Sequence, residues 1–331
     1  MIILGLETSC DDTSAAIFDG RSLLSNVIST QIVHRRFGGV VPELASRSHI
    51  QLILPVIQEA LSQAGLTKED IQGIAATFGP GLAGSLLVGL SLAKGMVLSL
   101  GIPFIGINHL EGHIWANRLT SQNLAPPFVV LIASGGHTQN VFVKDWGVYE
   151  VLGRTRDDAA GEAFDKVGKL LQVGFPGGPA IERLAEKGKP EYVRFPRAFL
   201  EEGSLDFSFS GLKTAVLNHV RGLGAEDTQK HLADIAVSFQ DAVIDVLVEK
   251  TLAAAKHARV CQICLAGGVA VNKALQKRMT CGAEKEDLKV SWPPPELCTD
   301  NGGMIARAGH HYIQQGITSP LTLSPAPSLN F

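Results

Sequence analysis

The chain has 331 residues, of which 45% are hydrophobic and 35 are glycine, enough for about two domains of roughly 150 residues each in a compact α/β protein. Lys and Arg total 29 against 32 Asp and Glu, so the net charge of -3 offers no global field for a polyanion. Any nucleic-acid site must be a local patch or be completed by a partner. The five cysteines (Cys10, Cys261, Cys264, Cys281 and Cys298) are odd in number and irregular in spacing, which excludes a disulfide framework and fits reduced thiols in a cytosolic protein.

Residues 2–6 form an apolar run that meets a polar turn, Glu7 to Ser14, before Ala15 to Asp19 resume the apolar pattern, predicting strand, turn and strand. The start lacks the basic residues and cleavage site of a signal peptide, so no export is expected. Gly79-Pro80-Gly81 is expected to start a long helix, and Ile102 to Ile107 a strand. The apolar stretch Leu82 to Ile107, broken by Ser85, Ser91, Lys94, Ser99 and Pro103, falls short of a membrane span and reads as a buried helix followed by that strand. The first grammar recurs at Phe128 to Ala133, Ser134-Gly135-Gly136-His137-Thr138 and Gln139 to Val143, predicting a second copy of the same hairpin and hence duplicated α/β domains. A third glycine turn, Ala266 to Asn272, joins a strand over Val260 to Leu265 to a helix from Lys273 to Met279, an arrangement that lets backbone N–H groups approach a phosphate. The expected division is a first domain over 1–108, a second over 109–325 and a tail over 326–331.

His109 and His113 stand four residues apart, on one face if the segment is helical, which suits a single metal ion as well as a pair of core or surface histidines. Glu111 would then point away from that face, which removes the water-activating base a zinc protease needs. Asp300, in the loop Cys298 to Gly303, is the candidate third ligand and equally a helix cap. Two histidines and a carboxylate would accept iron, zinc or manganese and leave positions open. Asp165, in the polar helix start Asp157 to Lys166, could pair with hydroxyls or belong to a solvated face. Pro176-Gly177-Gly178-Pro179 reads as a tight turn. The segment Asp206 to Thr214 suits stacking or phosphate contact, or equally an edge strand and a helix cap. Cys261 and Cys264 are expected to pack within a strand rather than form a redox pair. Arg35-Arg36 and Arg154 with Arg156 are candidates for RNA contact.

The segments ETSCDDTS at 7–14, GGVVPELASRSH at 38–49, GPGLAGSLLVG at 79–89, HLEGH at 109–113, SGGHTQ at 134–139, DDAAGEAFDK at 157–166, FPGGP at 175–179, DFSFSGLKTA at 206–215, AGGVAVN at 266–272 and CTDNGGMIA at 298–306 occur in the order that resembles the TsaD family, also called Gcp or YgjD, of the bacterial type. The resemblance implies two duplicated actin-like domains of the ASKHA superfamily, RNase H-like in topology, with a nucleotide in the interdomain cleft. It implies transfer of the threonylcarbamoyl group of threonylcarbamoyl-AMP to N6 of adenosine 37 in tRNAs that read codons beginning with A. A divalent metal, iron or alternatively zinc, would be held by His109, His113 and Asp300, and the adenylate by Ile132, Ala133, Ser134, Gly135, Gly136, Asp165, Gly178 and Asn272. Asp11 or Asp12 is expected to help receive the proton; Asp12 stands where many relatives have Glu. The resemblance also implies a TsaB paralogue on the apolar helices of the first domain, a TsaE ATPase, a TsaC-type enzyme supplying the adenylate, and a cytoplasmic location. Competing readings are a metalloendopeptidase, the family's historical label, and an ASKHA-type ATPase or kinase.

Overall fold

A computed structural model describes residues 1–121, 123–198, 201 and 203–331, with Arg35 described by its backbone alone. The chain forms two compact units, one built from residues 1–124 and 293–331, the other from 125–292.

In the first unit, β1 (Ile3–Glu7), β2 (Asp12–Phe18) and β3 (Leu23–Thr30) form a meander, followed by α1 (Pro42–Ala64), β4 (Gly73–Gly79), α2 (Ala83–Leu100), β5 (Phe104–Asn108) and α3 (His109–Thr120). The sheet order is β3-β2-β1-β4-β5, with β1 antiparallel to β2 and parallel to β4. All five residues of β1 are buried, as a central strand covered on both faces requires.

Proline at the start of α1 and left-handed Gly65 after its end set its limits, and Ala45, His49, Ile53, Val56, Ile57 and Ala60 line its buried face. The helix α2 starts two residues after Gly81, turns Ser85, Leu86, Gly89, Leu90, Ala93 and Val97 inward, and ends at left-handed Gly101. By length and composition alone α2 is apolar enough to cross a membrane, contrary to the expectation from its serines and lysine. It is also not buried all round: Leu87 is 54% and Leu98 69% exposed, and on α1, which packs against it, Ile50 is 65% and Leu54 53% exposed.

The second unit repeats the plan. It contains β6 (Phe128–Ala133), β7 (Thr138–Asp145), β8 (Val148–Arg154), α4 (Ala160–Leu170), α5 (Gly177–Ala185), α6 (Ser210–Leu223), α7 (Ala225–Lys230), α8 (Leu232–Ala258), β9 (Gln262–Ala266), α9 (Lys273–Glu284) and β10 (Lys289–Ser291). Its sheet order, β10-β9-β6-β7-β8, has β6 antiparallel to β7 and parallel to β9, the same connectivity as the first sheet. The expected duplication is therefore present.

The chain then returns to the first unit with α10 (Pro295–Cys298) and α11 (Gly302–Gln314). This differs from the expected boundaries at 108 and 325. The helix α3 continues directly from β5, and α11 packs along β1 where Gly5 lacks a side chain, so both join the first unit. The Pro-Gly-Gly-Pro segment also departs from the expected turn, because Gly177 is the first residue of α5. Cys261 precedes β9 and is exposed, so packing explains only Cys264, which is buried and whose thiol burial pushes up to about 12.

Candidate metal centre and glycine cradle

The first-unit site is assembled at the start of α3. Asn108 caps the helix, its side-chain oxygen accepting from the Leu110 and Glu111 amides at 2.9 and 3.4 Å. The cap fixes the first turn, and the four-residue spacing then brings His109 and His113 together edge to face, with ring centroids 4.7 Å apart. Asp300 arrives from the loop before α11. Asn301, not Asp300, caps that helix, accepting from the Met304 amide at 3.0 Å, while the Gly302 amide donates to Ser14 Oγ at 2.8 Å. Asp300 reaches both histidines: its Oδ1 lies 3.5 Å from His109 Nε2 and 3.3 Å from His113 Nε2. One ligand atom from each of the three residues falls within 4.8 Å of the others.

A second layer orients His109. Its Nδ1 is 3.0 Å from Glu7 Oε2 and 3.1 Å from Ser9 Oγ, while Thr77 Oγ1 donates to Glu7 at 2.6 Å. Burial opposes charge on His109, but Asp300 and Glu7 outweigh it and raise its pKa to about 9. Burial would likewise raise Glu7, yet His109 holds it below the usual carboxylate range. Sequence reasoning assigned no role to Glu7, Ser9 or Thr77; the available signal was a carboxylate ending a wholly buried apolar strand.

The residues fit a cation. His113 is fully buried, and neither of its ring nitrogens makes a hydrogen bond among the described residues. A buried imidazole in that state is costly, and a cation between its Nε2 and Asp300 would satisfy that nitrogen. A carboxylate behind the other histidine is the usual means of fixing the tautomer of a metal ligand. Glu111 turns away, as expected, accepting from Trp115 Nε1 at 3.3 Å and from the Tyr312 hydroxyl.

Asp12 begins β2 rather than lying in the turn, and its Oδ1 is buried with no hydrogen bond among the described residues. Burial, then the negative Asp300, push its pKa up to about 7. Asp11 sits one residue earlier, where its carbonyl accepts from the Gln31 amide at 3.2 Å.

In the second unit, the segments bearing the remaining site residues gather at the ends of β6 and β9. Ile132 and Ala133 are wholly buried in β6, so their side chains belong to the core. Ser134 closes the hairpin: its amide donates to the His137 carbonyl at 2.8 Å, and its Oγ accepts from the His137 amide at 3.2 Å. Asp165 ties α4 to α5, its Oδ1 accepting from the Gly177 amide at 2.6 Å. Asn272 caps α9, accepting from Leu275 at 3.0 Å and donating to Gln240 at 2.8 Å.

Two kinds of glycine separate here. Gly267 adopts φ +86, and a Cβ there would lie 2.4 Å from the Ala133 carbonyl, so the fold requires it. Gly135, Gly136, Gly178 and Gly268 have neither a left-handed φ nor any atom within 4 Å of a built Cβ. Nothing in the fold demands glycine at those four positions. Bare backbone facing open space is what a ligand approaching the main chain requires. Of the expected RNA-contact arginines, Arg156 is already paired with Asp206 at 2.9 Å and Glu201 at 3.4 Å, and the Arg35 side chain lies outside the described residues.

The paired sheets, each a three-stranded meander extended by two parallel strands, define an actin-like protein of the ASKHA class with a His-His-Asp group in its first unit. Solved structures share this fold at low identity. HypF of T. kodakarensis superposes with TM-score 0.64 at 16% identity over 97% of this chain and 49% of its own, and component A of the (R)-2-hydroxyglutaryl-CoA dehydratase of Acidaminococcus fermentans with TM-score 0.57 at 15% over 94% and 98%.

Within that class the chain belongs to the family described as TsaD: tRNA N6-adenosine threonylcarbamoyltransferase, which it matches over residues 22–307. Proteins bearing that activity as their name are similar over nearly the whole length. That of Clostridioides difficile is 50% identical over 99% of this chain and 98% of its own, and that of Desulfitobacterium hafniense 51% over 99% and 97%.

Proposed function

We propose that this protein transfers the threonylcarbamoyl group of threonylcarbamoyl-AMP to N6 of adenosine 37 in tRNAs that read codons beginning with A. The observation that carries the reading is the group of buried His109 and His113 with the partly buried Asp300, and the Glu7 carboxylate behind it, in a chain about half identical to named transferases along its whole length. The geometry of Glu111, spent on Trp115 and Tyr312, disfavours the peptidase reading.

An exocyclic adenine amine is a poor nucleophile, so the reaction needs a polarised carbamoyl carbonyl, stabilisation of its developing negative charge and a good leaving group, here AMP. A divalent cation held by His109, His113 and Asp300, iron or zinc, would supply that polarisation when bound. Glu7 keeps His109 oriented with Nε2 toward Asp300, and Ser9 and Thr77 keep Glu7 in place. Asp11 and Asp12 are the groups we assign to receiving the amine proton; retention of full turnover after both are changed to Asn would exclude them. In the second unit, the exposed backbone at Gly135, Gly136, Gly178 and Gly268 is assigned to the adenylate, with Ser134 and Asp165 shaping the turns that present it. Ile132, Ala133 and Asn272 serve by building the turns, since their side chains are engaged within the unit.

The apolar face made by Ile50 and Leu54 of α1 and Leu87 of α2 is assigned to a TsaB paralogue. A TsaE ATPase and a TsaC-type adenylate-forming enzyme complete the cytoplasmic system. The deciding experiment measures labelled threonine incorporated into such a tRNA with these partners and ATP, comparing wild type with His109→Ala. Loss in the variant supports both transferase and metal site; undiminished transfer overturns the metal chemistry, and no transfer by wild type overturns the function.

A further inference from the structure

The turn from Ser9 to Asp12 is gripped by a histidine outside the groups so far given a role. We propose that His49 is a positioning residue for the transfer, an imidazole with its proton on Nε2 that holds the Cys10 carbonyl and thereby sets Ser9, Asp11 and Asp12 against the His109, His113 and Asp300 group. The proposal rests on the reading of the first unit as a reaction centre.

His49 is fully buried on α1, with Nδ1 2.8 Å from Thr13 Oγ1 and Nε2 2.9 Å from the Cys10 carbonyl oxygen. A carbonyl can only accept, so Nε2 must carry the hydrogen; Nδ1 is then the acceptor for the Thr13 hydroxyl. The Cys10 carbonyl therefore sets the tautomer, Thr13 matches it by donating to Nδ1, and His49 delivers its N–H to the turn. The other buried positions of α1, Ala45, Ile53, Val56, Ile57 and Ala60, are all apolar. Packing alone would be served by leucine here, since a buried polar ring is unfavourable unless its nitrogens are bonded.

The Cys10 carbonyl receives a second, longer hydrogen bond from Ser85 Oγ of α2 at 3.3 Å, and the Ser9 carbonyl accepts from the Leu82 amide at 2.8 Å. Ser9 in turn reaches His109 Nδ1, so one peptide separates the carbonyl held by His49 from a residue touching the histidine pair. Asp11 and Asp12 follow on the other side of the same carbonyl. Rotation of the peptide after Cys10 would displace Asp11 and Asp12 relative to Ser9, and misplacement of reacting groups by about 1 Å can cost roughly a hundredfold in rate.

Two substitutions separate positioning from bulk stability. His49→Gln keeps a side-chain N–H able to reach the Cys10 carbonyl, whereas His49→Asn keeps an acceptor near Thr13 and loses that donor. Each retains one bond, so a structural role would lower both melting temperatures and both activities alike. The expected result is kcat within about threefold of wild type for His49→Gln and a loss of about tenfold or more for His49→Asn, with KM for tRNA and bound metal unchanged in both. Equal losses that track melting temperature, or two variants with wild-type kcat, would overturn the proposal. Amide exchange over residues 9–12 gives a second readout independent of transfer, with faster exchange expected in His49→Asn alone. If the wild type transfers nothing, the proposed function falls, while unchanged exchange in His49→Asn still refutes the positioning role.

Discussion

Gly5 controls how closely α11 can approach the central strand, and Gly5→Ala should therefore loosen the metal group without touching any of its members. A Cβ at residue 5 would lie 2.3 Å from the Gly302 carbonyl oxygen and 2.4 Å from the Ala306 nitrogen. Ordinary contact begins near 3.4 Å, so the start of α11 must retreat by about 1 Å (3.4 - 2.3). The strand cannot give way, because β2 and β4 are hydrogen-bonded to its two edges. Asp300 stands two residues before Gly302 and would move with it, whereas a metal site tolerates roughly 0.2 Å. Overpacking of this kind costs about 1–3 kcal/mol, and each kcal/mol lowers the melting temperature by about 2–4 °C in a domain of this size. The assay is metal stoichiometry by elemental analysis, with thermal melts before and after chelation. Gly5→Ala should melt lower in the metal-free state and show a smaller rise on adding metal. Wild-type metal affinity in this variant would refute the argument that the approach of α11 to β1 sets the site.

Gly136→Ala should leave the melting temperature within about 1 °C, because its Cβ meets nothing, yet weaken adenylate binding by about tenfold; equilibrium binding of AMP or a stable adenylate analogue measures this. Burial and the negative Asp300 push the Asp12 carboxyl up to about 7, well above the ordinary aspartate range near 3.8, so the native state holds the proton more tightly and stability falls as pH rises between these values. In metal-free protein, Asp12→Asn should consequently exceed the wild-type urea midpoint at pH 8 and converge with it toward pH 4; a gain that is larger at the acidic end would contradict the assigned burial. Ile50→Glu with Leu87→Glu should leave the isolated fold intact, since both side chains are more than half exposed, but abolish co-elution with a TsaB paralogue.

The sequence made the two hairpins readable because each alternates between an apolar run and a small polar turn, and the strand expected over Phe128 to Ala133 has those limits in the structure. The histidine pair was equally legible, because helical spacing alone brings residues 109 and 113 together. The outward face of α2 was not: an almost uniformly apolar helix carries no polar stripe to mark Leu87 and Leu98 as exposed. Glu7 escaped notice because its partners are 70 and 102 positions away, at Thr77 and His109, a distance no local pattern spans. The unit boundary was hidden for a related reason. Whether α11 belongs with β1 is decided by the missing side chain at Gly5, far from any linker composition that could mark a domain edge. The start of α5 at Gly177 was obscured because two glycines flanked by prolines favour a turn, an outcome overridden by the Asp165 carboxylate that accepts from the Gly177 amide.

The return of the chain to its first unit has a consequence for how the protein is made. His109 and His113 are synthesised early, but Asp300 and the Asn301 cap that presents it come only after all of residues 125–292. During synthesis the second unit is complete, with both edges of its sheet in place, while the first still lacks the helix that packs along β1. A cation held by the proposed group would therefore find its third ligand only once Asp300 has been added. The candidate centre is the last part of the first unit to be completed, and a chain truncated before α11 would carry the second unit whole beside a histidine pair whose first unit lacks its closing helix.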